Sequence, residues 1–284
     1  MLQSTEVAKN LEADLNRHGY GFQFAIVRAA DALFDAKRSP WRNPVTEFPV
    51  EVKGQGTRID VIFEHFEGHK YLICECKRTN PKLSDWCFLK LPRFFDSHAD
   101  LSLFEVVRRT DLEVRAALSE PGTPGEIFHI AQEIKSQQKG DVAGRGRGVI
   151  EEAATQVLRG VNGLAEYFRG RPGAFGRTDV ATLVPVIFTT ARLWVSKVDL
   201  SMSDLMTGNI ATNEEQLEQR GYLFYQYPQS PGLRHTLEYL MPSKPTGVNW
   251  RRNFNEVLYR EYVRTIVIVS ASGIEEYLSS EGFW

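Results

Sequence analysis

Two neighbouring apolar segments, each broken by charge, constrain this chain more than any other feature. The stretch TRIDVIFEHFEGHKYLICECKRTN, residues 57–80, has strand composition on both sides of Glu67-Gly68, rich in Ile, Val, Phe, Tyr and Leu. Asp60 breaks the first arm, and Glu75 and Lys77 break the second. Strand side chains alternate between faces, so Asp60 shares a side with Arg58 and Ile62, while Glu75 and Lys77 share one with Tyr71 and Ile73. The turn decides whether the two sets meet. A Glu67-Gly68 loop sets Asp60 opposite Glu75, and a Gly68-His69 loop sets it opposite Lys77. A three-residue loop would put Asp60 opposite Cys76 and separate the charges.

Two carboxylates on one face at cross-strand distance repel each other, and burial raises the cost. A divalent cation relieves that repulsion, and hard oxygen ligands with open water positions suit Mg2+ or Mn2+. Such a cation lowers the pKa of a bound water and stabilises charge on a phosphoryl oxygen. Lys77 beside it can orient or deprotonate the attacking water, or neutralise the pentavalent phosphate. The chemistry implied is hydrolysis of a phosphodiester. The competing reading is a structural cross-strand salt bridge, a common device in sheets. Apolar neighbours on both faces favour the functional reading, because charges are rarely buried without a partner or a job.

A chain of 284 residues can hold one large domain or two modest ones. The net charge of −2 gives no global basic signature, so any attraction to nucleic acid must come from a local patch. Arg145 and Arg147, within the GRGRG of a glycine-rich loop, could clamp a phosphate backbone or belong to a solvated linker. Three cysteines (Cys74, Cys76, Cys87) are too few and too strand-embedded for a disulfide framework, which points to a reducing compartment. Cys74-Glu75-Cys76 lacks the second ligand pair of a zinc site. The N-terminal residues have neither a basic start nor an apolar run, and the longest apolar stretches are strand-sized, so the expectation is the cytoplasm and no membrane. There is no Walker-type phosphate loop and no G-x-S-x-G, and the six histidines have no metal-ligand spacing.

Periodicity predicts a helix over 19–38, with Phe22, Ile26, Ala29, Ala30 and Leu33 on its apolar side. A strand over 45–52 follows, and Pro49 suggests an edge or a bulge. Residues 101–117 and 126–137 read as helices within an irregular region. Residues 149–168 form a core-facing helix by spacing, in which Gln156 and Arg159 could share a face. Residues 181–195 read as one buried strand, 221–228 as a strand, 250–260 as a helical segment and 262–273 as a buried strand, with a short helix to close. In 221–228, Tyr222, Phe224, Tyr225 and Tyr227 fit an interface strand or a core strand with one aromatic face. This order argues for an α/β domain around a mixed sheet.

Asp60, then fourteen residues, then Glu75-Cys76-Lys77 resembles the D-x(n)-E-x-K core of the PD-(D/E)xK nuclease superfamily. The resemblance implies a restriction-endonuclease-like fold: a mixed central sheet flanked by helices, here with a long insertion and a C-terminal extension. It covers about residues 19–196, which implies a core over 1–196 with 79–148 inserted, and leaves 197–284 as a sheet-completing or interface region. It also implies Asp60 and Glu75 as metal ligands, the Cys76 carbonyl in the metal shell, Lys77 as the catalytic lysine, and Mg2+ or Mn2+ as the cofactor. GYGFQF (19–24) is similar to the G-x-x-[YF]-Q start of several bacterial defence nucleases, which would give Gln23 the positioning of a metal-bound water or of Lys77. Glu47 could supply an extra carboxylate instead. The proline and first acid of the family name are missing, because Arg58-Ile59 precede Asp60. The expectation is a DNA endonuclease, with RNA as the other candidate substrate, a homodimer if both strands are cut, and a partner protein if it serves defence. The alternative is a catalytically silent nucleic-acid- or protein-binding module of the same fold.

Overall fold

The computed structural model describes residues 2–79, 84–91, 104–109, 114–119, 126–134, 148–170, 180–228 and 263–280. In chain order, α1 (Leu2–His18) and α2 (Tyr20–Asp35) precede β1 (Trp41–Val52), β2 (Gln55–His65) and β3 (Lys70–Lys77). Then come β4 (Asp85–Leu89), β5 (Phe104–Arg109), β6 (Val114–Ser119), β7 (Ile127–Phe128) and β8 (Ile130–Ile134). The helix α3 (Val149–Gly170) leads to β9 (Val180–Thr189), β10 (Arg192–Ser196), β11 (Leu217–Arg220), β12 (Tyr222–Pro228) and β13 (Val263–Ser270), and α4 (Ile274–Ser279) follows.

Gly19, at φ 76°, breaks the helical run between α1 and α2. α2 buries Gln23, Ile26, Ala30 and Leu33 along one face, whereas every side chain described in α1 is exposed. Lys53 and Gly54 both have positive φ and make the tight β1–β2 hairpin turn. β1, β2 and β3 form an antiparallel meander, and β9 lies parallel to β3 after the α3 crossover. β13 runs parallel to β9, β12 antiparallel to β13, and the short β7 parallel to β12, giving the order β1-β2-β3-β9-β13-β12-β7. β5 pairs with the first residues of β9 and carries β6 beside it.

The chain is thus mixed α/β, with a central mixed sheet flanked by helices. α2 and α4 cover one face over Val61, Phe63, Leu72, Val184 and Val267. On the other face, the later turns of α3 pack on Val50, Ile59 and Ile73. The earlier turns of α3 meet Trp86, Phe88, Leu193, Tyr225 and Ile266. A second sheet, β11-β10-β4-β8, continues beyond the first. The parallel pair β3/β9 ends at Lys77↔Thr189 and resumes as the parallel pair β4/β10 at Asp85↔Arg192. Asp85 joins the two strands, accepting from Arg192 Nη2 and Trp194 Nε1, both at 2.7 Å.

Two sequence expectations are corrected. The described residues within 101–117 and 126–137 form strands where helices were expected, because hydrogen-bonding partners on β9, β12 and β4 override an ambiguous local pattern. The 181–195 stretch is two strands, broken at Thr190 and Ala191, and the second strand changes sheets. Of the two readings of 221–228, the core strand stands: Leu223, Phe224 and Tyr225 are buried, with Phe224 packed on one side of the sheet and Tyr225 on the other. The helical segment expected over 250–260 lies outside the described residues.

Candidate active site

The β2–β3 ladder runs from Glu64↔Tyr71 to Val61↔Cys74, the register that sets Asp60 opposite Glu75. Beyond Val61 the Asp60 side chain takes over from the backbone ladder: its Oδ2 accepts the Cys76 N–H at 2.7 Å. On its other side, the flanking pairs Thr46↔Val61 and Phe48↔Ile59 set Asp60 opposite Glu47. Three acidic residues are therefore in register across β1, β2 and β3, although their side chains do not share one face.

The alternation of faces breaks at Asp60. Ile59 packs with the α3-facing cluster, yet Val61, two residues on, packs with the cluster under α2. The partner strand turns at the same level, since Phe48 also packs on the α3 side and Glu47 has φ 53°. A left-handed backbone at a non-glycine residue costs roughly 1–2 kcal/mol. Here it turns the Glu47 carboxylate toward Gln23 and Arg58, the latter 3.5 Å away.

Gln23, on the opening turn of α2, is only 4% exposed. Its Nε2 donates to the Asp60 carbonyl at 2.7 Å and to Glu47 Oε1 at 3.2 Å. The two residues that sequence reading offered as alternatives are therefore hydrogen-bonded to each other. Together they brace the backbone of Asp60 from α2 and β1.

Glu75 and Lys77 lie on the opposite, α3 side of the sheet. Lys77 Nζ stands 3.0 Å from Glu75 Oε1 and 3.6 Å from Glu152 Oε1 on the first turn of α3. Burial pushes the Glu75 carboxyl up to about 8, Asp60 adds to the rise, and Lys77 opposes it. Asp60 is raised as well, by burial first, against the stabilising Cys76 N–H. Burial pulls the Lys77 ammonium down, but Glu75, Glu152 and Asp60 outweigh it, and the lysine stays charged. Burial holds the Cys74 and Cys76 thiols neutral on the α2 side of the sheet, which leaves oxygen as the donor chemistry.

Glu152 escaped the sequence reading. Glu151 and Glu152 at a helix start look like ordinary partners of the helix dipole, and only the packing of α3 on β3 brings one of them to Lys77. On α3, Arg159 is exposed, while Gln156 is half-buried with its Oε1 lacking a hydrogen-bond partner. Arg145 and Arg147 lie outside the described residues.

Among the described residues, no three His, Cys, Asp or Glu side chains stand together as a metal-binding group. The hard donors at the site are the carboxylates of Asp60 and Glu75 and the backbone carbonyl of Cys76. The Cys76 N–H faces Asp60, and the N–H and C=O of one strand residue face the same neighbour. A buried and a half-buried carboxylate that repel each other, with a carbonyl beside them, fit a hard divalent cation completed by water. Comparison with known proteins gave no match to any family model, curated protein or solved structure.

Proposed function

We propose that this chain is a metal-dependent phosphodiesterase with a restriction-endonuclease-like core, acting as a DNA endonuclease. The observation that carries the reading is the meeting of Asp60, Glu75 and Lys77 at the end of β3, with Glu75 buried beside the half-buried Asp60. The order helix, three antiparallel strands, helix and a strand parallel to the third agrees with that core. Asp60 and Glu75 would hold Mg2+ or Mn2+, with the Cys76 carbonyl beside them. Bound there, the cation supplies a water of lowered pKa and neutralises charge on a phosphoryl oxygen. Lys77 orients the attacking water and stabilises the charge that develops on phosphorus oxygens. Gln23 and Glu47 hold Asp60 in place from behind.

Cutting both strands of a duplex would call for a homodimer or paired binding. Defence against foreign DNA, in the cytoplasm and with a partner protein, is the setting that the glutamine on the opening turn of α2 suggests. A second reading, a silent nucleic-acid- or protein-binding module of the same fold, draws on the Lys77–Glu75 contact as a purely structural ion pair.

Incubation of plasmid DNA with Mg2+ or Mn2+, beside an RNA sample, separates these readings. Metal-dependent cutting by the wild type, abolished by Lys77→Ala and by Asp60→Ala in folded protein, is the expected result. Cutting that persists in both variants would remove the site assignment. No cutting of either nucleic acid would favour the binding module.

A further inference from the structure

Lys77 has acidic neighbours on two different elements. Glu75 is on its own strand with a side chain 9% exposed, and Glu152 is on α3 with a side chain 57% exposed. Among the described residues, these are the carboxylates within salt-bridge distance of Lys77. An exposed acid on a helix start means little by itself, but the placement of this one is fixed by packing. A Cβ on Gly160 would come within 3.0 Å of Ile59 and 3.3 Å of Ile73, so α3 lies close against β2 and β3 there. From Gly160 back to Glu152 is about 12 Å of helix. From Ile73 on to Lys77 is about 13 Å of strand. Helix and strand run antiparallel at matched spacing, and the start of α3 is tied down by Glu133 Oε1, which accepts the Ile150 N–H at 3.2 Å. Glu152 is therefore held over Lys77.

A cation held by Asp60 and Glu75 competes with Lys77 for the Glu75 carboxylate, whose Oε1 the ammonium now holds at 3.0 Å. An ammonium stripped of its partner at a half-buried site is costly. Resting on the nuclease reading above, we propose that Glu152 is a second station for Lys77, which keeps the ammonium bound beside the site when Glu75 turns to the cation. Glu152 is then a positioning residue. It acts through Lys77 and does not touch the cation or the substrate.

A double-mutant cycle on the full chain, read by calorimetric titration with Mn2+, tests this. Glu152→Gln should weaken Mn2+ binding by about tenfold when Lys77 is present. In a Lys77→Met background, where no ammonium needs a new partner, the same substitution should change binding by under about twofold. Equal weakening in both backgrounds would mean that Glu152 acts through its own charge or as a direct ligand, and would overturn the proposal. No weakening in either background would overturn it too. Should Glu152→Gln or Lys77→Met fail to melt cooperatively, Glu152→Ala and Lys77→Gln complete the same cycle. Absence of Mn2+ binding by the wild type would sink the cation site and the nuclease reading together, whereas binding without coupling to Lys77 removes only the second station.

Discussion

Glu75 is a buried carboxyl whose pKa rises from an ordinary 4.5 to about 8, through burial first and the Asp60 charge second. Below pH 4.5 the folded and unfolded chains both hold this proton, and the group contributes no difference. Between 4.5 and about 8 the unfolded chain has released the proton while the folded chain keeps it, so stability falls as pH rises. Asp60 is raised as well and adds to the same slope. Lys77, raised from 10.5, keeps its contribution throughout this window and loses it only at higher pH. Thermal melts of the metal-free protein should therefore drop in midpoint across that range, and Glu75→Gln should flatten the drop. A wild-type melting point that climbs between those limits would contradict the burial-driven shift. The residue types at the site were legible in the sequence, because acids inside apolar strands stand out. Glu152 was not, since an acid at the start of a helix looks the same whether it faces solvent or a lysine.

The height of α3 above the sheet is set by small residues. A Cβ on Gly163 would sit 2.6 Å from Val50 Cβ, a contact with no flexible side-chain end to give way. Gly163→Ala should cost about 1–3 kcal/mol, as overpacked cores do. Chemical denaturation with unchanged slope is the check, and an unchanged midpoint would mean that β1 can yield. The same variant should lower cleavage if α3 holds Glu152 against Lys77. Long elements with strong periodicity, such as α3, were readable from sequence. The segments that pair as β5, β6, β7 and β8 were not, because short apolar runs fit either period, and the sheet partners of β5, β7 and β8 on β9, β12 and β4 are far away in the chain. The β2–β3 register lay between these cases: composition narrowed it to a few turns, and the folded hairpin selected one of them.

On the scale of the whole molecule, the C-terminal strands are part of the central sheet. Val186 to Thr189 pair with Val267 to Ser270, and Ile266, Val267, Ile268 and Val269 are fully buried. Residues 1–196 expressed alone would leave that edge of β9 open and lose the partners of Val186 and Phe188. Such a fragment should show no cooperative thermal transition, although it contains Asp60, Glu75 and Lys77. A sharp melt near that of the full chain would show instead that the first 196 residues form a core of their own.

The sequence by itself determined which charged residues interrupt apolar strands and that strands and helices would combine around a mixed sheet. Those properties are local: charge within an apolar run, helical spacing in α2 and α3, and a turn between two strands. The tertiary structure alone decided that Gln23 and Glu47 bond to each other behind Asp60, that Glu152 meets Lys77, and that β13 lies beside β9. Each of these joins residues far apart in the chain. Such contacts are set by how packed faces come together, and no short window of sequence encodes that.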